Sequence, residues 1–149
     1  MALHYEHSID VARPPGDAFA LLDDVSKTPT WLTRCVKLEK LDGGPINVGT
    51  KLRYSYKEGR RVKEMDGLVT ARVPNERLTY RYADKMANVT VDFRMVSGAN
   101  GTRLTHAISI EPKHFMMKLF SPLIRRALPK QTLDAMEKVR ALLESKPAA

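Results

Sequence analysis

The sequence predicts an α+β domain in which a curved, seven-stranded antiparallel sheet wraps around one long C-terminal helix. Two observations carry this. From about Lys113 to Glu144 the apolar residues Met116, Leu119, Phe120, Leu123, Ile124, Ala127, Leu128, Ala135, Met136, Val139, Leu142 and Leu143 recur in steps of three and four. That spacing draws a single apolar stripe along a helix, with Lys118, Arg125, Arg126, Lys130 and Lys138 mostly off it. Upstream, alternating apolar and polar residues separated by turn signals fill most of the chain from about Arg34 to Ile110. A striped helix must bury its stripe, and the partner at hand is one face of that sheet.

The elements follow in order. Leu3, Tyr5, His7, Ile9 and Val11 alternate with polar neighbours as in a half-buried strand. Arg13-Pro14-Pro15-Gly16 ends it, and Pro15 can open a helix, where its missing N–H costs nothing. Ala18, Phe19, Leu21 and Leu22 make a short amphipathic helix ending near Asp23-Asp24, which read as solvated or capping groups. Ser26 to Trp31 supplies one more turn, interrupted by Pro29. Hairpins come next: Arg34–Leu41, Thr50–Lys57, Val62–Val73, then strands centred on Leu78-Tyr80-Tyr82, Val89-Val91-Phe93-Met95 and Leu104-His106-Ile108-Ile110. Their turns are Asp42-Gly43-Gly44-Pro45, Glu58-Gly59-Arg60, Pro74-Asn75, Asp84-Lys85 and Gly98-Ala99-Asn100-Gly101. Pro122 and Pro129 should kink or divide the final helix.

The 149 residues suit one domain, 1–145, with 146–149 as a frayed tail; such a domain buries roughly 68–70% of its extended-chain surface. No apolar run approaches the roughly 20 residues needed to span a bilayer. MALHYEHSID lacks a basic region followed by an apolar block, so no secretory signal is expected. The one cysteine, Cys35, excludes an internal disulfide and fits a reducing compartment, which makes the expected location cytoplasmic. A net charge of +8 and a pI near 9.7 favour anionic partners. Most basic residues are scattered; the local cluster is Lys57-Glu58-Gly59-Arg60-Arg61-Val62-Lys63, at an expected hairpin tip.

Several residues in this order resemble the START-like superfamily often labelled SRPBCC, which includes polyketide cyclase/dehydrase-like proteins, lipid-transfer domains and pollen allergens. The matching residues are Pro14-Pro15 with Phe19, Leu22 and Asp23-Asp24, then Trp31, Val48-Gly49-Thr50, and the turn and strand Pro74-Asn75-Glu76-Arg77-Leu78-Thr79-Tyr80. The resemblance implies a helix-grip fold with a deep, mainly apolar cavity between sheet and last helix. It implies no shared catalytic set.

Alternation sends polar groups toward the helix along with the apolar ones: Tyr5, His7, Tyr54, Tyr56, Tyr80, Tyr82 and His106. An apolar wall bearing a few hydroxyl and imidazole groups is how small-molecule sites are lined. Tyr54, Tyr56, Tyr80, Tyr82 and His106 are therefore expected to orient a ligand, with Phe93, Met116 and Phe120 as apolar wall. The plainer alternative is that these rings are core and their hydroxyls reach solvent at the rim. His106, mid-strand between Leu104 and Ile108, is expected to be neutral; in the helix-grip topology that the resemblance implies, the first and last strands are neighbours, which lets His7 and His106 approach across the ladder. Either imidazole is a candidate general acid/base for ring closure or dehydration; the alternative is a histidine bonded to a core tyrosine.

No short metal-ligand spacing, nucleophile elbow or phosphate-cradling loop is present, so neither a metal nor a cofactor is expected. Three functions remain open: a binder of a hydrophobic small molecule (a lipid, polyketide or aromatic metabolite), a cyclase or dehydratase, or an interaction module using its basic surface. No nucleic-acid partner is expected. The basic side of the last helix (Lys113, Lys118, Arg125, Arg126) could meet a membrane surface, and the chain is expected to be a monomer or homodimer.

Overall fold

The computed structural model describes residues 3–42, 44–113 and 121–145. Strand β1 (Leu3–Val11) leads into helix α1 (Pro15–Asp23), a 3-10 turn at Val25–Lys27 and helix α2 (Thr28–Trp31). Six strands follow: β2 (Cys35–Lys40), β3 (Lys51–Glu58), β4 (Arg61–Val73), β5 (Arg77–Ala83), β6 (Ala87–Gly98) and β7 (Gly101–Pro112). Helix α3 (Ser121–Glu144) closes the chain. All seven strands form one antiparallel sheet in the order β1-β7-β6-β5-β4-β3-β2. The expected architecture is the observed one: a seven-stranded antiparallel sheet, two short helices after its first strand and a long C-terminal helix, the helix-grip fold.

The short elements form for local reasons. Pro14 caps α1 and Pro15 starts it with its φ already helical. Asp24 accepts hydrogen bonds from the Ser26 backbone N–H (3.1 Å) and hydroxyl (2.6 Å), fixing the 3-10 turn. At the β6–β7 hairpin the left-handed residue is Gly101, with φ 147°. A side chain there would strike the Val11 carbonyl, since an added Cβ would lie 2.0 Å from its oxygen.

The inner face of the sheet and the helices share a core that includes Phe19, Leu22, Trp31, Leu52, Val69, Leu78, Phe93, Leu104, Met136 and Val139. A second cluster, Leu3, Ala87, Ile110 and Leu128, lies at the other end of β1, with Tyr5, Val89 and Ile108 packed against it. Helix α3 therefore runs from the Leu3 end toward the α1 end. There the Glu144 carboxylate accepts from the Ala12 backbone N–H (2.9 Å), and the Thr33 hydroxyl donates to Asp134 (2.8 Å).

Two expectations about the last helix change. Lys113 belongs to the end of the β6–β7 hairpin, its backbone N–H donating to the Met86 carbonyl at 2.8 Å. The helix is also not divided, since Ser121–Glu144 continues through Pro129. Pro122 lies in the first turn, where backbone N–H groups have no intrahelical acceptor. Burial of Leu128 on one side of Pro129, and of Ala135 and Met136 on the other, anchors both halves. No helix among the described residues is long and apolar enough to cross a membrane.

Candidate functional site

Strand register assembles the inward-facing residues into rows across the sheet. One row runs Val69–Tyr80–Val91–Ile108–Tyr5, the next Gly67–Tyr82–Val89–Ile110–Leu3, and a third Leu78–Phe93–His106–His7. Tyr54 and Tyr56 extend the surface on β3, Tyr54 opposite Met65. All five tyrosines thus lie on the inner face, as alternation predicts.

The tyrosine rings form a continuous series. Tyr54 stacks on Tyr56 (centroids 5.2 Å) and leans on Tyr82 (5.1 Å), which in turn stacks on Tyr80 (6.1 Å). Gly67 makes this series fit: an added Cβ would stand 2.9 Å from two Tyr82 ring carbons. Burial raises the hydroxyl pKa of Tyr54, Tyr80 and Tyr82, so each stays a neutral donor. The Tyr80 hydroxyl donates to the Leu22 carbonyl (3.1 Å). Tyr56 is half-buried at the edge, with the Arg34 guanidinium 5.9 Å from its ring centroid.

These rings meet a void of about 40 Å3 lined by Thr28, Trp31, Leu32, Leu38, Tyr54, Tyr80, Tyr82, Val91 and Phe93. That volume suits about one water molecule. Sequence reasoning chose Tyr54, Tyr80, Tyr82 and Phe93 but not Trp31, which lies on α2 outside the alternating strands. Its signal was its place as the sole tryptophan, following Pro29 on a connecting helix. Trp31 packs edge-on to Phe93 (centroids 5.8 Å, planes at 88°), and its buried indole N–H has no hydrogen-bond partner among the described residues.

On the other side of Phe93 lies His106, with ring centroids 4.7 Å apart. His7 is its direct partner in the β1–β7 register, as predicted. His106 is buried, and its Nδ1 finds no hydrogen-bond partner among the described residues. Burial lowers its pKa to about 4; the Asp92 carboxylate opposes the shift and His7 adds to it. At neutral pH this imidazole is uncharged.

Cover over the inner face is uneven. Leu78, Phe93, His106, Leu104 and Val69 are buried, whereas Tyr5, His7, Val89, Val91, Ile108, Tyr54 and Tyr56 are only half-buried. Of the second group, Tyr5, His7, Val89, Val91 and Ile108 lie between the two apolar clusters along β1, β6 and β7, and Tyr54 and Tyr56 pack against the edge of the first. Met116 and Phe120 lie outside the described residues. A separate open groove of about 450 Å3 between Val25–Pro29 and β2 touches none of the expected site residues. Among the described residues no three His, Cys, Asp or Glu side chains gather as metal ligands. Burial raises the Cys35 thiol pKa to about 11, away from nucleophilic use.

The family model for polyketide cyclases/dehydrases and lipid transport matches residues 2–144. The Zhui aromatase/cyclase from Streptomyces sp. R1128 superposes with a TM-score of 0.80 at 14% identity, over 97% of this chain and 94% of that one. Ara h 8.0201 superposes with a TM-score of 0.73 at 12% identity, over 98% and 100% of the two chains. The di-domain ARO/CYC StfQ from the steffimycin biosynthetic pathway gives a TM-score of 0.77 at 12% identity, over 97% of this chain and 51% of that one. At these identities the likeness is one of fold. No curated protein matches the chain in sequence.

Proposed function

Because the chain belongs to the polyketide cyclase/dehydrase and lipid transport family, we propose that it binds a hydrophobic small molecule, a lipid, polyketide or aromatic metabolite, between the inner sheet face and α3. The observation that carries this reading is the half-buried patch of Tyr5, Val89, Val91 and Ile108 between two separate apolar clusters, with half-buried Tyr54 and Tyr56 against the first of them. A core completed by its own side chains would cover such residues fully. Flat, neutral rings with hydroxyl groups suit an aromatic or polyene ligand carrying a few oxygens. Tyr54, Tyr56, Tyr80, Tyr82 and Phe93 are the proposed contacts within the described residues, and Met116 and Phe120 remain proposed as further apolar wall.

Native mass spectrometry of freshly purified protein, followed by denaturing extraction, tests this. The expected result is a mass increment that denaturation releases as a hydrophobic compound and that Val91→Trp, which fills the patch, abolishes. A bare mass, together with no heat of binding from either a fatty acid or a polycyclic phenol, would overturn it.

A second reading, a cyclase or dehydratase using His106 or His7, has support in the uncharged His106 imidazole, whose Nδ1 is unpartnered among the described residues, beside His7. With a pKa near 4 the His106 imidazole is uncharged at neutral pH, so it would serve as the acceptor of a proton. Turnover of a polyketide substrate should then vanish in His7→Ala and His106→Ala. Unchanged turnover in both variants would remove this mechanism.

A further inference from the structure

We propose that the tip of the β3–β4 hairpin docks this protein on anionic lipid bilayers. From Lys57 to Lys63 the chain carries the cations Lys57, Arg60, Arg61 and Lys63 against the one carboxylate of Glu58. Every residue of this stretch is exposed. Lys63 already engages Glu58 (Nζ–Oε1 3.1 Å). Lys57, Arg60 and Arg61 have no ion pair among the described residues. Arg34 adds a charge beside them, its Nε donating to the Lys57 carbonyl at 3.3 Å.

Within this ring of cations stands Val62, 57% exposed and directly opposite Lys57 in the register. A lone exposed valine means little by itself. Set at the end of a projecting hairpin among long cationic side chains, it has the composition of an interfacial anchor, with cations at the phosphate level and an apolar group beneath them. The same features fit other anionic partners less well. A stable protein interface needs about 800 Å2 per side, more than a hairpin tip offers, and a phosphate backbone gives the valine nothing to contact.

Topology places further cations at the same end of the molecule, along with the carboxylates of Glu64, Asp84 and Glu111. β3 runs toward it and β4 away, so Arg34, the Asp84–Lys85 turn and the end of β7 lie at the same end of the sheet. Lys85 and Lys113 are exposed there. Leu128, in the early part of α3, packs at this end too, against Leu3, Ala87 and Ile110. Docking itself does not depend on ligand binding.

Sedimentation with phosphatidylcholine vesicles, with and without phosphatidylserine, tests the proposal. The protein should pellet with the serine-containing vesicles only, and added salt should release it. Each cation at an anionic surface multiplies partitioning roughly fivefold, so Arg60→Gln/Arg61→Gln should weaken binding about 25-fold. Val62→Ser should weaken it a few-fold without changing the salt slope. Arg81→Gln/Arg103→Gln, which removes the same charge from exposed positions on the strands, should leave binding within about twofold. Equal losses in the two double variants, equal binding to both vesicle types, or complete displacement by duplex DNA at equal charge would each overturn it. All three variants should keep any co-purifying ligand, so failure here is distinguishable from failure of the ligand reading.

Discussion

His106 lies face to face with Phe93, centroids 4.7 Å apart and planes 12° from parallel, so a titratable ring is stacked as if it were a hydrocarbon. The imidazole ordinarily takes its proton near 6.5, but in the fold it does so only near 4, because burial penalises the charged form. The unfolded chain therefore binds this proton first as pH falls. The group's stabilising contribution is complete above about 6.5, declines between 6.5 and 4, and changes no further below that. The decline amounts to about 3 kcal/mol. Denaturant titrations across this window should show it, and His106→Leu should flatten the curve.

Gly67 is a space for Tyr82. Its φ is not in the left-handed region, so the requirement is steric and comes from the ring carbons that would sit 2.9 Å from a Cβ. Gly67→Ala should cost about 1–3 kcal/mol through displacement of Tyr82 and Leu52. Urea melts give the cost. An unchanged midpoint would mean that the ring moves freely into the adjoining void.

Arg72 joins α1 to the sheet. Its Nε and Nη2 donate to the two Asp23 oxygens at 3.0 and 2.9 Å, and its guanidinium lies 5.2 Å from the Phe19 ring centroid. The bidentate geometry raises the pair above an ordinary surface bridge, while partial exposure tempers it. Asp23→Asn should cost about 1 kcal/mol, and Arg72→Ala about 2 because the stacked stem is lost as well. A double-mutant cycle measures the coupling.

Tyr80→Phe removes the hydroxyl that binds the Leu22 carbonyl at the end of α1. The expected loss is about 1 kcal/mol. Faster amide exchange should be confined to α1 and the following 3-10 turn.

Alternation made the inner face legible in the sequence. Val89, Val91 and Phe93, or Leu78, Tyr80 and Tyr82, can face only one way once one of them does; the expected His7–His106 approach came instead from the strand order that the family resemblance implies. Departures from period two were not legible. A bulge between Val69 and Ala71 shifts the register and aligns Arg72 with inward-facing Leu78. This is why Asp23, expected to be a solvated or capping group, is instead ion-paired. Trp31 escaped because four-residue helices have no periodicity to read, and Lys113 because one apolar stripe cannot show where a strand ends and a helix begins. Gly67 carried a signal, a glycine inside a strand.

Trp31 is the only tryptophan, and it shares its small void with Tyr54, Tyr80 and Tyr82. The fold thereby places its one indole within efficient energy-transfer range of its own tyrosines. Exciting the tyrosines and collecting indole emission would weight the distances around this void most heavily, while circular dichroism reads the whole sheet. The protein carries its own optical gauge beside the proposed ligand contacts Tyr54, Tyr80 and Tyr82.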